Sequence, residues 1–214
     1  MRVAVFCGSS LGPAVHVEAA MIFAAELVRA KVGIVYGGGR TGLMGTVADT
    51  AMRAGGEVIG VIPEHMLDNE IPHHGVTRLE VVGTMHERKA RMATLADAFV
   101  ALPGGAGTMD ELFEAWTWGN IGLHAKPVAV LNVAGFWDPV VELVRSMTGS
   151  GYLKNAQAAS LGVVSSAAEF LSFIASYVPP PTRVGRSQAA AAVEFGHADQ
   201  LAEAREPGLP AEPA

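Results

Sequence analysis

The run Pro103-Gly104-Gly105-Ala106-Gly107-Thr108, with Glu111 just behind it, joins a backbone that can approach an anion to a nearby carboxylate. Three glycines remove the side chains that would keep a ligand at a distance. Thr108 is placed to cap a helix starting near Met109 while offering its hydroxyl to a phosphate. Amides at a helix start carry partial positive charge, so a monoester phosphate is attracted without any net basicity. Glu111 then falls about one turn into that helix. It serves there either as an acid complementing the helix start or as a carboxylate facing a sugar, where it accepts hydrogen bonds from hydroxyls or orients water.

A second chemically loaded stretch is Met85-His86-Glu87-Arg88-Lys89-Ala90-Arg91-Met92. Read blandly, it is a solvated basic helix face with Glu87 and Arg91 paired one turn apart. Arg88 and Lys89 are adjacent, so on a helix they point in different directions and one of them is able to enter a site. Cleavage of a glycosidic bond builds positive charge on the sugar and leaves a departing base in need of a proton or hydrogen bond. Glu111 on the sugar side, with Arg88 positioning the base, the phosphate or Glu111 itself, would meet both needs.

Four loops follow predicted strands: Cys7-Gly8-Ser9-Ser10, Gly37-Gly38-Gly39-Arg40-Thr41-Gly42, Pro63-Glu64-His65 and the Pro103–Thr108 run. Each alone reads as an ordinary strand-to-helix turn; together they point to one ligand site. Gly37, Gly39 and Gly42 match G-x-G-x-x-G, and Glu57 lies near the place of a ribose-binding acid. Glu57 falls before a strand rather than at its end, so a dinucleotide site is not favoured. The chain has no Gly-Lys-Ser/Thr, which excludes a triphosphate P-loop.

The elements that must position these loops alternate. Strands are expected at Val3–Cys7, Gly33–Tyr36, Val58–Ile62, Thr77–Val82, Ala98–Leu102 and Val128–Asn132. Helices are expected at Val15–Ala30 (apolar face Met21, Ala24, Ala25, Val28), Met44–Ala54, His86–Ala96, Asp110–Trp118, Trp137–Thr148 and Ser166–Tyr177. That alternation predicts an α/β, Rossmann-like parallel sheet with helices on both faces, a single domain over residues 1–178, and ligands at the carboxyl ends of the strands. From Pro179-Pro180-Pro181 the composition shifts, and 179–214 reads as a Pro/Ala-rich tail in which Gln188–Phe195 is able to form a helical piece.

Composition narrows the function. A net charge of −6 and a pI near 5.6 argue against a nucleic-acid binder. Cys7 is the only cysteine, so no disulfide or four-thiolate zinc site is expected within the chain, and it reads as a buried strand-end thiol. His73-His74 lack a clustered carboxylate or thiolate, so no metal is expected. No apolar stretch reaches the ~20 residues of a membrane span, and the first apolar run reads as a strand rather than a signal peptide. A cytoplasmic protein is expected. Met44, Met85 and Met92 are expected in the core, and Phe113, Trp116 and Trp118 in the core or at a subunit contact.

Pro103-Gly104-Gly105-x-Gly107-Thr108-x-x-Glu111, with Met85-His86-Glu87-Arg88-Lys89 and Gly37-Gly38-Gly39 upstream, resembles the LOG ("Lonely Guy") family, cytokinin riboside 5′-monophosphate phosphoribohydrolases once misannotated as lysine decarboxylases. The resemblance runs from about Val3 to about Tyr177. It implies hydrolysis of an N6-modified AMP, and of AMP itself, to free base and ribose 5-phosphate. No metal or organic cofactor is implied, and the sites are shared across a homodimer. It makes Arg88 and Glu111 the catalytic pair, and Gly8, Ser9, Gly38, Gly39, Met85, Lys89, Pro103, Gly104, Gly105, Gly107 and Thr108 the substrate contacts. Ala106 stands where many relatives carry an aromatic residue, which leaves the base-side preference open. A non-catalytic nucleotide or cofactor carrier of the same fold is the alternative, and it would have no need of the Arg88–Glu111 pair. Amino-acid decarboxylation is rejected, because none of Lys31, Lys89, Lys126 and Lys154 has a recognisable pyridoxal-phosphate context.

Overall fold

A computed structural model describes residues 1–67 and 71–181. The described strands are β1 (Arg2–Phe6), β2 (Gly33–Tyr36), β3 (Val58–Pro63), β4 (Arg78–Val82), β5 (Ala98–Ala101), β6 (Val128–Leu131) and β7 (Leu161–Val164). The helices are α1 (Ala14–Arg29), α2 (Gly42–Arg53), α3 (Met85–Leu95), α4 (Ala106–Ile121), α5 (Asp138–Gly149), the single turn α6 (Asn155–Ala158) and α7 (Ala167–Ser176). All strand pairs are parallel, in the order β4-β3-β2-β1-β5-β6-β7. The predicted α/β Rossmann-like architecture is the observed one.

Because strand side chains alternate, one strand feeds two cores. Val3, Val5 and Cys7 face the cluster built with Phe23 and Leu27 of α1, Val47 of α2 and Phe170 of α7. Ala4 and Phe6 face the opposite cluster, with Met92 of α3, Leu112 and Trp116 of α4 and Val140 of α5. The order reverses at β1, since β1 lies between β2 and β5. Loops leaving β1 and β5 therefore diverge to opposite faces and open a crevice at their carboxyl ends, where ligands of open α/β sheets bind.

Three expectations are corrected. Val128–Leu131 is not the last strand: Leu161–Val164 adds an edge, a four-residue run whose Gly162 lets the Phe173 ring pack where a β-carbon would stand 2.8 Å from it. The buried face of α1 is Ala20, Phe23, Ala24 and Leu27, while Met21 is exposed. Glu87 does not pair with Arg91. Glu87 accepts from the Gly83 amide at 2.8 Å, and Arg91 binds Glu80 of β4 at 2.6 Å. The anticipated tail helix Gln188–Phe195 lies outside the described residues.

Candidate active site

Three of the glycine loops are tied to one another by backbone. The Gly8 amide donates to the Pro103 carbonyl at 3.1 Å, and the Leu43 amide at the start of α2 donates to the Gly8 carbonyl at 3.0 Å. A β-carbon on Gly42, at φ +60°, would lie 2.2 Å from Ser9, and one on Gly104 would lie 2.1 Å from the Thr108 hydroxyl and 2.9 Å from the Gly8 nitrogen. These glycines are needed by the fold itself. A β-carbon on Gly105 or Gly107 would meet nothing within 4 Å. Their bareness is open towards whatever occupies the crevice.

The helix behind the loop begins earlier than its sequence suggests. Gly105 is the N-cap, extended and without a side-chain cap bond, and Ala106 is the first helical residue. Thr108 therefore does not cap α4; it sits in the first turn, 3% exposed, folded over Gly104. Glu111 is displaced to the second turn, and the first turn of α4 holds no acid. Its presence is thus not explained by the helix dipole, which fades beyond the first turn.

Thr84 caps α3 by accepting from the Glu87 amide at 3.1 Å, and this fixes Arg88 four residues on, pointing inwards. Arg88 is only 6% exposed. Its Nη2 donates to the Gly37 carbonyl at 2.9 Å, its Nη1 lies 3.6 Å from the Met85 sulfur and 3.7 Å from that of Met66, and its buried Nε has no hydrogen-bond partner. A buried cation costs several kcal/mol unless it is compensated, so the arrangement is built for an anion or a polarised group. Gly37 is the enabling residue: a β-carbon there would sit 1.8 Å from Nη2.

Cys7, just after β1, lies within electrostatic reach of both Glu111 and Arg88. Burial pushes its thiol far above the usual range, the negative charge of Glu111 pushes it further, and the positive charge of Arg88 opposes the shift. Both predicted catalytic residues thus act on one buried sulfur at the crevice floor. The thiol itself stays neutral and is no nucleophile.

Lys89 leaves α3 in another direction, as adjacency requires. Its Nζ contacts Asp110 at 3.1 Å and Glu114 at 3.0 Å, both on α4. Met85 is half-buried beside Arg88 rather than in the core, whereas Met44 and Met92 are core residues. Met66 was missed altogether, because nothing local marks a thioether three residues past a strand as a neighbour of Arg88.

Behind the site α4 is anchored at its far end. Trp116 donates to Ser160 at 2.9 Å, and Ser160 donates to Asn120 at 3.2 Å. His124 accepts from the Lys126 amide at 3.1 Å on Nδ1, which makes Nε2 the donor to the Ala115 carbonyl at 2.9 Å. Burial lowers this imidazole to about 4, so it is neutral.

Other candidates fall away. Glu57 pairs with Arg2 at 2.8 Å at the amino ends of the strands, remote from the glycine loops, so it holds no ribose there. An open concavity of about 510 Å³ lies at that same amino edge, lined by Arg2, Lys31, Gly55, Glu57 and Asp97, where none of the loop amides reach. His73 is buried and spans Asp49 at 3.0 Å and the Gly75 amide at 3.2 Å. Among the described residues no group of three or more His, Cys, Asp or Glu is gathered for a metal, and no helix is long and apolar enough to cross a membrane.

Comparison with known proteins gives the family. The family model described as "Possible lysine decarboxylase" matches residues 44–174. The cytokinin riboside 5′-monophosphate phosphoribohydrolase LOG of Oryza sativa subsp. japonica is 41% identical over 179 residues, covering 83% of this chain and 74% of its own. The enzyme LOG2 of Arabidopsis thaliana is 39% identical over 179 residues, covering 83% of this chain and 84% of its own. Two solved structures share the fold at lower identity. The molybdenum cofactor binding protein of Rippkaea orientalis has a TM-score of 0.62 at 18% identity over 82% of this chain and 95% of its own. The molybdenum cofactor carrier protein of Chlamydomonas reinhardtii has a TM-score of 0.60 at 20% identity over 89% and 98%. With relatives at this identity matched along most of both chains, this chain belongs to the LOG family of cytokinin riboside 5′-monophosphate phosphoribohydrolases.

Proposed function

We propose that this protein hydrolyses the N-glycosidic bond of N6-modified AMP, and of AMP itself, releasing free base and ribose 5-phosphate. The observation that carries this reading is Arg88, a buried guanidinium whose Nε has no hydrogen-bond partner, with Glu111 and Arg88 both in electrostatic reach of Cys7 just after β1.

Gly8, Ser9, Gly38, Gly39, Pro103, Gly104, Gly105, Gly107 and Thr108 form the cradle, with the exposed amides at the α4 N-terminus taking the phosphate. Met85, against Arg88, lines the side of the pocket. The bond between C1′ and the base nitrogen breaks with its electron pair leaving on the base. Glu111 opposes the positive charge on the sugar and takes a proton from the attacking water, whose oxygen bonds C1′. Arg88 holds the departing base or the phosphate, and the proton taken up by Glu111 passes on to the base, restoring the carboxylate. Burial of Arg88 and partial burial of Glu111 give both charges more weight than they would have in water.

The protein acts in the cytoplasm as a homodimer in this reading. An open concavity of about 360 Å³ along α4, where Met109, Phe113 and Trp118 meet Asp110 and Glu114, supports a subunit contact there. Incubation with AMP or isopentenyl-AMP, followed by chromatography, tests the activity. Free base and ribose 5-phosphate are expected; tight nucleotide binding with no base released would support a carrier instead.

A further inference from the structure

Asp110, Glu111 and Glu114 place three acids within little more than one turn of α4. Residues three and four apart on a helix are neighbours, so Glu114 shares a side with both Asp110 and Glu111. Like charges at that spacing repel. Lys89 pairs with two of the three: its Nζ bridges Asp110 at 3.1 Å and Glu114 at 3.0 Å, with its own side chain 10% exposed. Lys89, Glu111 and Glu114 line one narrow gap with Phe6, Phe99 and Trp118.

We infer that Lys89 is a positioning residue for Glu111: by bridging Asp110 and Glu114 it neutralises the two acids beside Glu111 and keeps that carboxylate ionised. This role differs from direct contact with the nucleotide, and it rests on Glu111 acting as a carboxylate in the proposed hydrolysis. Charged and titratable groups near Glu111 include Asp110 and Glu114 from α4, Arg88 and Lys89 from α3, and Cys7 just after β1. Cys7 is neutral, and Arg88 is held on the Gly37 carbonyl. Of the two cations, Lys89 is the one tied to the neighbouring acids. Burial alone would lower the Lys89 ammonium, but its hydrogen bonds to Glu114 and Asp110 outweigh burial and raise it, so it is charged throughout the neutral range.

The test is a titration of the Glu111 side-chain carboxyl by carbon NMR, assigned by its loss in Glu111→Gln, in the full-length wild type, Lys89→Met and Lys89→Met/Glu114→Gln. Lys89→Met should move the midpoint upward by roughly a few tenths of a pH unit, the scale of like-charge repulsion on a helix, and Glu114→Gln added to it should move it back. Lys89→Arg should leave it in place. A midpoint unmoved in Lys89→Met, or moved and not restored by Glu114→Gln, overturns the inference; should Lys89→Met unfold, Glu114→Gln alone reports instead, a midpoint moved downward supporting the bridge and one unmoved overturning it. In parallel, turnover of isopentenyl-AMP against pH tests the underlying reading. Wild-type protein without turnover defeats that reading while the titration still reports on Lys89. A raised KM in Lys89→Met with an unshifted acid limb would show contact with the nucleotide and contradict the positioning role.

Discussion

The Arg88 guanidinium donates to the Gly37 carbonyl at 2.9 Å across a space that a β-carbon on residue 37 would occupy, 1.8 Å from Nη2. The glycine after β2 thus shapes the site by making room for an arginine fifty-one positions away. Gly37→Ala should leave the sheet intact but push Arg88 out of register. A displacement of about 1 Å at a catalytic group costs on the order of a hundredfold in rate, so kcat for isopentenyl-AMP should fall by about that factor. Circular dichroism of the variant should match the wild type.

Gly105 and Gly104 separate ligand space from packing. Gly105 has an ordinary extended backbone and no neighbour within 4 Å of a β-carbon. Gly105→Ala should therefore leave Tm unchanged while raising KM for the nucleotide severalfold. Gly104→Ala drives a methyl group into Thr108 and the Gly8 nitrogen, and should lower Tm and turnover together, as overpacking costs about 1–3 kcal/mol. Equal Tm and KM effects in the two variants would contradict this division.

Much of this was legible in the sequence, for particular reasons. Glycine-dense loops directly after β-branched runs mark strand ends, and a parallel sheet gathers strand ends at one edge, so a ligand site at the carboxyl ends of the strands was foreseeable. That Arg88 and Lys89 diverge follows from helical geometry alone. Three things were not visible. Arg88 rests on a backbone carbonyl, which carries no residue-type signal. Thr108 has the composition of a cap, yet Gly105 takes that position because the chain enters α4 extended. β7 is four residues with a glycine second, too short to show an alternating pattern.

Acid should weaken the fold through His124. Its folded value of about 4 lies below the 6.5 of an unperturbed imidazole, so between these values the unfolded chain binds the proton and the folded chain does not. Stability is therefore fully present above about pH 6.5 and is lost as the pH falls towards 4, by up to about 3 kcal/mol at 1.36 kcal/mol per unit. Urea melts across this range should show the fall, and His124→Gln should flatten it.

The Arg88–Glu111 pair is the centre of the account, and Glu111→Gln tests it most directly. The variant removes the charge at nearly constant shape, so nucleotide binding measured by calorimetry should persist within a few-fold. Release of free base from isopentenyl-AMP should drop by about 10²–10⁴, the range of a positioned acid–base group. Base release at the wild-type rate in Glu111→Gln would contradict the account.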